Sequence, residues 1–186
     1  MTGITANPDV VAENGGMIKP EALFAGAARR SSLDEPLEHL MACHRRIEER
    51  LETLERAAAH LEDRTEEALG AFRSAFAFLD TSGALHTADE EESLFPRLMA
   101  ALERGERAYL AGLEHDHTEA HRIYTELKLS LDRPAQARHL VDRLCALYRA
   151  HIASEDDVLQ EYARVHLSAE QLAEIGREMK GRRGLD

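Results

Sequence analysis

From Asp34 onward apolar residues return at alternating steps of three and four, and histidine takes a place in the same stripe. The first such face reads Leu37, Leu40, His44, Ile47, Leu51, Leu54, Ala58 and Leu61. A second runs through Leu69, Phe72, Phe76, Leu79, His86, Glu90, Leu94, Leu98 and Ala101. A third carries Leu110, Leu113, His117, His121, Tyr124, Leu127 and Leu131, and a fourth Leu140, Leu144, Tyr148, His151, Glu155, Leu159 and Tyr162. A period near 3.6 gathers each set on one side of a helix, so four stripes must be buried against one another. With short connections between them, the pattern predicts an all-α, up-down four-helix bundle. Pro36 just after Asp34 suits the first helix start, and Pro134 opens the fourth helix. Thr81-Ser82-Gly83 predicts a kink in the second helix and Pro96 a second bend. Ser168 followed by Gln171 is a capping box for a short extra C-terminal helix, with Leu172, Ile175 and Met179 inward. Residues 1–32 show no sustained period and predict an irregular N-terminal arm with one short helix near Glu21–Arg29. Residues 33–186 are then the bundle with its C-terminal helix.

Composition narrows the partners. Lys and Arg number 23 against 35 for Asp and Glu, a net charge of −12. So acidic a chain repels phosphate backbones and anionic lipid, which argues against nucleic-acid and membrane partners. Cys43 and Cys145 are too few for a disulfide framework or a cysteine-ligated cluster, and both are expected as buried, reduced thiols. The N-terminus shows no signal-peptide pattern and no segment approaches the ~20 apolar residues of a membrane span, so the cytoplasm is the expected compartment.

Ten histidines decide the rest. One histidine on an apolar stripe is ordinarily a hydrogen-bonded core residue. Here His44, His86, His117, His121 and His151 bring at least one from every helix, and each unpaired buried imidazole would cost about 1–3 kcal/mol. A shared metal satisfies all of them. His86 with Glu90 and His151 with Glu155 are spaced i,i+4, so each pair projects from one face. A weak internal repeat, His-x-Ala-x-Glu-acid-acid-x-Leu, relates residues 86–94 to 151–159 and selects Glu155 over Asp156. Asp89, Glu91, Glu92, Asp156 and Asp157 are expected as a solvated helix face, and His39, His60, His115 and His139 as residues off the stripes. Imidazole and carboxylate without thiolate suit iron, manganese or zinc. Seven ligands exceed the needs of one ion. Two ions bridged by Glu90 and Glu155 would use them all and leave one position open.

These segments resemble a known family. The run Leu-Met-Ala-Cys-His44-Arg-Arg-Ile-Glu, the motif His86-Thr-Ala-Asp-Glu90-Glu-Glu-Ser-Leu-Phe-Pro, the pair His117-x-x-x-His121 and the segment His151-Ile-Ala-Ser-Glu155-Asp are similar to those of hemerythrin-like (HHE) proteins. The resemblance spans about residues 33–165. It implies a non-haem di-iron centre held by five histidines and two bridging carboxylates, with manganese or zinc as possible substitutes. It also implies oxygen or nitrogen species as the small partners. Oxygen-carrying members place the last carboxylate five residues after its histidine, here Asp156. Members implicated in repair of nitrosatively damaged iron–sulfur clusters place it four after, as Glu155 stands. Those repair proteins often carry a small N-terminal domain with paired cysteines, which is lacking here. The expectation leans towards reaction with oxygen, peroxide or nitric oxide, or support of iron-centre repair, with Tyr124 and Tyr148 as candidate proton donors. The alternative is reversible oxygen binding, redox sensing or iron storage without turnover. An apolar pocket would favour reversible binding and a polar one turnover.

Overall fold

The computed structural model describes residues 33–185, and the helix expected near Glu21–Arg29 lies outside them. Five helices carry the described chain, and no strand occurs among these residues. Helix α1 spans Pro36–Ala59, α2 spans 65–101, α3 spans Arg104–Lys128, α4 spans 134–166 and α5 spans Ala169–Arg182. Pro36 and Pro134 stand in the first turns of α1 and α4, where the missing N–H leaves no bond unmade. The α3 start is a reciprocal cap between Glu103 and Glu106, and α5 opens on the Ser168–Gln171 box. Helix α1 packs against α2 and α4, α3 against α4, and α5 lies on α1 and α2. Gly176 permits that last approach, since a Cβ there would run into the Leu33 carbonyl oxygen.

Helices α2 and α4 are not uniform. A π-helical turn occupies Leu79–Gly83, where Thr81 also bonds back to the Ala77 carbonyl, and another occupies Glu90–Leu94, just before Pro96. The third, Glu155–Leu159, is the α4 counterpart of the second. In both of the latter the carbonyl of the initial glutamate accepts from the N–H five residues on, Phe95 in α2 and Gln160 in α4. A π turn holds one residue more than an α turn and so rotates the stripe. That rotation buries Leu94 and Phe95 side by side in α2.

The apolar interior is divided in two. One cluster contains Ile47, Leu51 and Leu54 of α1, Phe72 and Leu79 of α2, Ile123 and Leu127 of α3, and Leu140 and Leu144 of α4. The other contains Leu37 and Leu40, Leu94 and Leu98, Leu110 and Leu113, and Leu159, again from α1 to α4, with Ile175 and Met179 of α5. Along each of the four long helices the histidine of the stripe falls between the two sets. His44 lies between Leu40 and Ile47, His86 between Leu79 and Leu94, His117 between Leu113 and Ile123, and His151 between Leu144 and Leu159. A polar layer is therefore sandwiched between two hydrocarbon ones.

Candidate metal centre

Six of the seven residues singled out in the sequence meet in that layer. His44, His86, Glu90 and Glu155 form one group and Glu90, His117, His151 and Glu155 a second, with the donor atoms of each group within 4.8 Å of one another. The two glutamates belong to both. Glu90 directs Oε1 at His86 Nε2 (3.1 Å) and His44 Nε2 (3.6 Å), and Oε2 at His117 Nε2 (3.4 Å). Glu155 Oε2 lies 3.2 Å from both His44 Nε2 and His151 Nε2. His117 Nε2 and His151 Nε2 are 3.0 Å apart.

His121 stands outside both groups. The buried residues of α3 are Leu110, Leu113, Ala120, Ile123 and Leu127, so one turn beyond His117 the inward face passes through 120 rather than 121. The His121 side chain is exposed and lines a cavity it shares with His117.

The fit to a cation is visible in the carboxylates. Glu90 and Glu155 are almost wholly buried, yet none of their four side-chain oxygens has a hydrogen bond of good geometry despite the nearby imidazole nitrogens. Buried carboxylates are ordinarily paired or metal-bound, because an uncompensated one is costly. Charge in the cluster follows the same logic. Burial alone would lower His44, but the adjoining Glu155 and Glu90 overcome it and push the imidazole up to about 11. His117 is likewise raised to about 9 against burial, by Glu90 first. His86, fully enclosed, is lowered by burial. Glu90 stays well below the usual carboxylate range in spite of its burial, because His86, His117 and His44 surround it. The acids favour positive charge at this spot, which is where a cation would supply it.

The outer nitrogens were not legible from spacing. His44 Nδ1 meets Asp156 Oδ1 at 2.7 Å, and His117 Nδ1 meets Glu91 Oε1 at 2.9 Å. His151 Nδ1 lies 3.6 Å from Asp116 Oδ2, beyond hydrogen-bond range, and His86 Nδ1 has no hydrogen bond. Glu91 and Asp156 each directly follow a shared glutamate, so two acids expected as a solvated face instead support imidazoles of neighbouring helices. Asp89 departs further from that expectation. It is fully buried, held by both Nη atoms of Arg183 (3.1 and 2.6 Å) and by Arg182 (3.1 Å) from the end of α5. His39, expected off the stripe, is buried too, with Nε2 3.6 Å from Cys43 Sγ. His60, His115 and His139 are exposed. Cys43 and Cys145 are free, buried thiols, and burial raises both, Cys145 to about 12.

The hemerythrin HHE cation-binding domain model matches residues 35–175, which contain every residue of both groups. The chain belongs to this family. A protein of Haemophilus influenzae, described as uncharacterized, is 29% identical over 158 residues, covering 81% of this chain and 91% of the relative. Family and donor set agree: this hemerythrin-like chain is a metal-binding protein. None of its described helices is long and apolar enough to cross a membrane.

Proposed function

We propose that this HHE protein holds two iron ions, one in each four-residue group, with Glu90 and Glu155 shared between them, and that it binds a small diatomic ligand reversibly as a sensor or carrier. The observation that carries the pair of ions is the sharing of two buried carboxylates whose oxygens lack hydrogen bonds. Helices α1 to α4 run alternately from one apolar cluster to the other, which supports the up-down bundle of the family. When bound, such iron supplies one-electron redox chemistry and a coordination position open to a small molecule. Manganese or zinc fits the same donors.

The reversible reading rests on the lining beside the shared glutamates. A cavity of about 10 Å³, room for one water-sized molecule, is bounded by His44, Glu90 and Glu155 on one side. Leu37, Leu40, Leu94, Leu159 and Gln160 complete it. The leucines exclude water, and the Gln160 amide is engaged, donating to the Leu37 carbonyl at 3.3 Å and accepting from Arg164 at 3.1 Å. No phenol reaches this cavity. Tyr124 donates to Asp80 at 2.8 Å, and Tyr148 lies on a different cavity with its hydroxyl pushed up to about 12 by burial and then by Glu90. Turnover of oxygen, peroxide or nitric oxide, or support of iron-centre repair, is the second reading, favoured by Tyr148, which shares a cavity wall with His117, and by the four-residue spacing of Glu155 from His151. The test is to mix the anaerobic ferrous protein with oxygen and then restore vacuum. Full return of the ferrous spectrum is expected, and irreversible oxidation, faster with peroxide, would replace this reading by turnover.

A further inference from the structure

Helix α5 lies on α1 and on the stretch of α2, residues 84–94, that supplies His86 and Glu90. Ile175 and Met179 seat its apolar side in the same cluster as Leu94. Its polar end closes on a single turn of α2. Arg183 gives both Nη atoms to the Asp89 carboxylate. Arg182 gives Nη1 to Asp89 Oδ1 and Nε to Glu92 Oε2, each at 3.1 Å, and its Nη2 meets Ser93 Oγ. Asp89 is fully buried and the two arginine side chains are only 17% and 15% exposed, so the clasp is interior and not a surface pairing. Glu90, which follows Asp89 directly, is shared by both metal groups. Residues 89–93 thus hold the α5 arginines and a candidate metal ligand at once.

We propose that α5 is the output element of the centre, a latch whose docking on Asp89 and whose metal occupancy strengthen each other. The proposal rests on the metal-binding reading above and gives its sensor form a moving part. The bistable piece is the π turn Glu90–Leu94. A π turn carries one residue more than an α turn, and each helical residue turns the chain by about 100°. Relaxation of this turn to α register would therefore rotate Asp89 and Glu90 relative to Ser93 and Leu94. The clasp opposes that rotation, because Arg182 bridges Asp89 on one side of the turn to Ser93 on the other. A bound cation opposes it too, by tying Glu90 to His44 of α1 and His117 of α3. Two attachments that fix one register favour each other, and linkage makes the effect equal in both directions. Loss of the cation therefore loosens α5, and its release uncovers Ile175 and Met179.

The experiment uses Zn²⁺ as the probe and amide hydrogen exchange of the full chain, with and without the ion, as the readout. Amides of α5 are expected to exchange about tenfold more slowly with Zn²⁺ bound, a typical coupling between two sites. In the double variant Arg182→Gln with Arg183→Gln, Zn²⁺ affinity measured by chelator competition is expected to fall by about the same factor. Exchange in α5 should then no longer respond to Zn²⁺, while α1 and α4 keep their protection by it. Gly176→Ala drives a Cβ against the Leu33 carbonyl oxygen and loosens α5 without touching a charge. It is expected to weaken Zn²⁺ binding as well, and it carries the test if the double variant does not fold. Exchange in wild-type α5 that ignores Zn²⁺ would overturn the proposal, as would wild-type affinity in any variant that folds. So would slowing of exchange in every helix that persists for α5 in the variants, since that is global stabilisation alone. A wild-type chain that takes up no Zn²⁺ would instead sink the metal-binding reading on which the latch depends.

Discussion

Behind each imidazole that faces the centre, the second ring nitrogen sets which tautomer is present and how firmly the ring is aimed. Asp156 does this for His44 and Glu91 for His117, each by a short hydrogen bond from a different helix. Partners of this kind commonly change metal affinity about 10- to 100-fold. Asp156→Ala is therefore expected to weaken metal retention within that range in a chelator competition, with partial rescue in Asp156→Asn, whose oxygen can still accept from Nδ1–H. Glu155→Ala removes an oxygen donor from both groups and is expected to cost more. If Asp156→Ala lost its metal outright and Glu155→Ala kept it, the two carboxylates would have to exchange roles. His39 offers a separate test at the same scale. Burial, then Arg183 and Arg46, lower it from 6.5 to about 4. The unfolded chain thus takes a proton that the folded chain refuses, and stability drains away as pH falls from about 6.5 to about 4, then levels off. His39→Gln is expected to flatten the loss of urea midpoint between pH 7 and pH 4.5, and parallel slopes for the two proteins would refute this role.

The helices themselves were legible because an apolar stripe needs only its own spacing to be seen. Leu37 to Leu61 and Leu140 to Leu159 are buried where their period puts them, apart from the partly covered Tyr148 in the second set. Three features were not legible from spacing alone. The π turns at Glu90 and Glu155 shift the register inside α2 and α4, and only the kink signals at Thr81-Ser82-Gly83 and Pro96 hinted at irregularity. His121 shows the same limit, since an i,i+4 histidine pair reads as one face until packing shows the stripe passing through Ala120. The burial of Asp89 could not be foreseen either, because its arginines lie over ninety residues away on α5. That clasp ties the end of α5 to the segment that carries His86 and Glu90, and Arg97 adds contacts to Glu174 and Glu178. Removing one member of a buried ion pair strands the others, at a cost of about 3–5 kcal/mol. Asp89→Ala is expected to lose stability of that order in denaturant titration, while an exposed acid such as Glu92, two-thirds accessible, should cost far less. Equal effects would mean that α5 is not anchored through Asp89.

At the scale of the whole molecule, a polar layer between two hydrocarbon clusters is unstable unless its buried charges and polar atoms are given partners. The metal-free layer holds two carboxylates without hydrogen bonds of good geometry amid four imidazoles, each such group a penalty of about 1–3 kcal/mol. A cation that binds only the folded chain offsets those penalties and stabilises it by mass action. Chelation is therefore expected to lower the melting temperature of the loaded protein, and Glu90→Ala, which removes a carboxylate from both groups, to abolish most of that difference. The surrounding negative charge of the chain acts in the same direction by drawing cations towards it. All of this turns on how many ions the layer holds. The most direct measurement is elemental analysis of the chain loaded anaerobically with ferrous iron and freed of loose metal by gel filtration. Two ions per chain, falling to one or none in Glu90→Ala, is the result expected from two groups sharing two glutamates. One ion or none in the wild-type chain would contradict it.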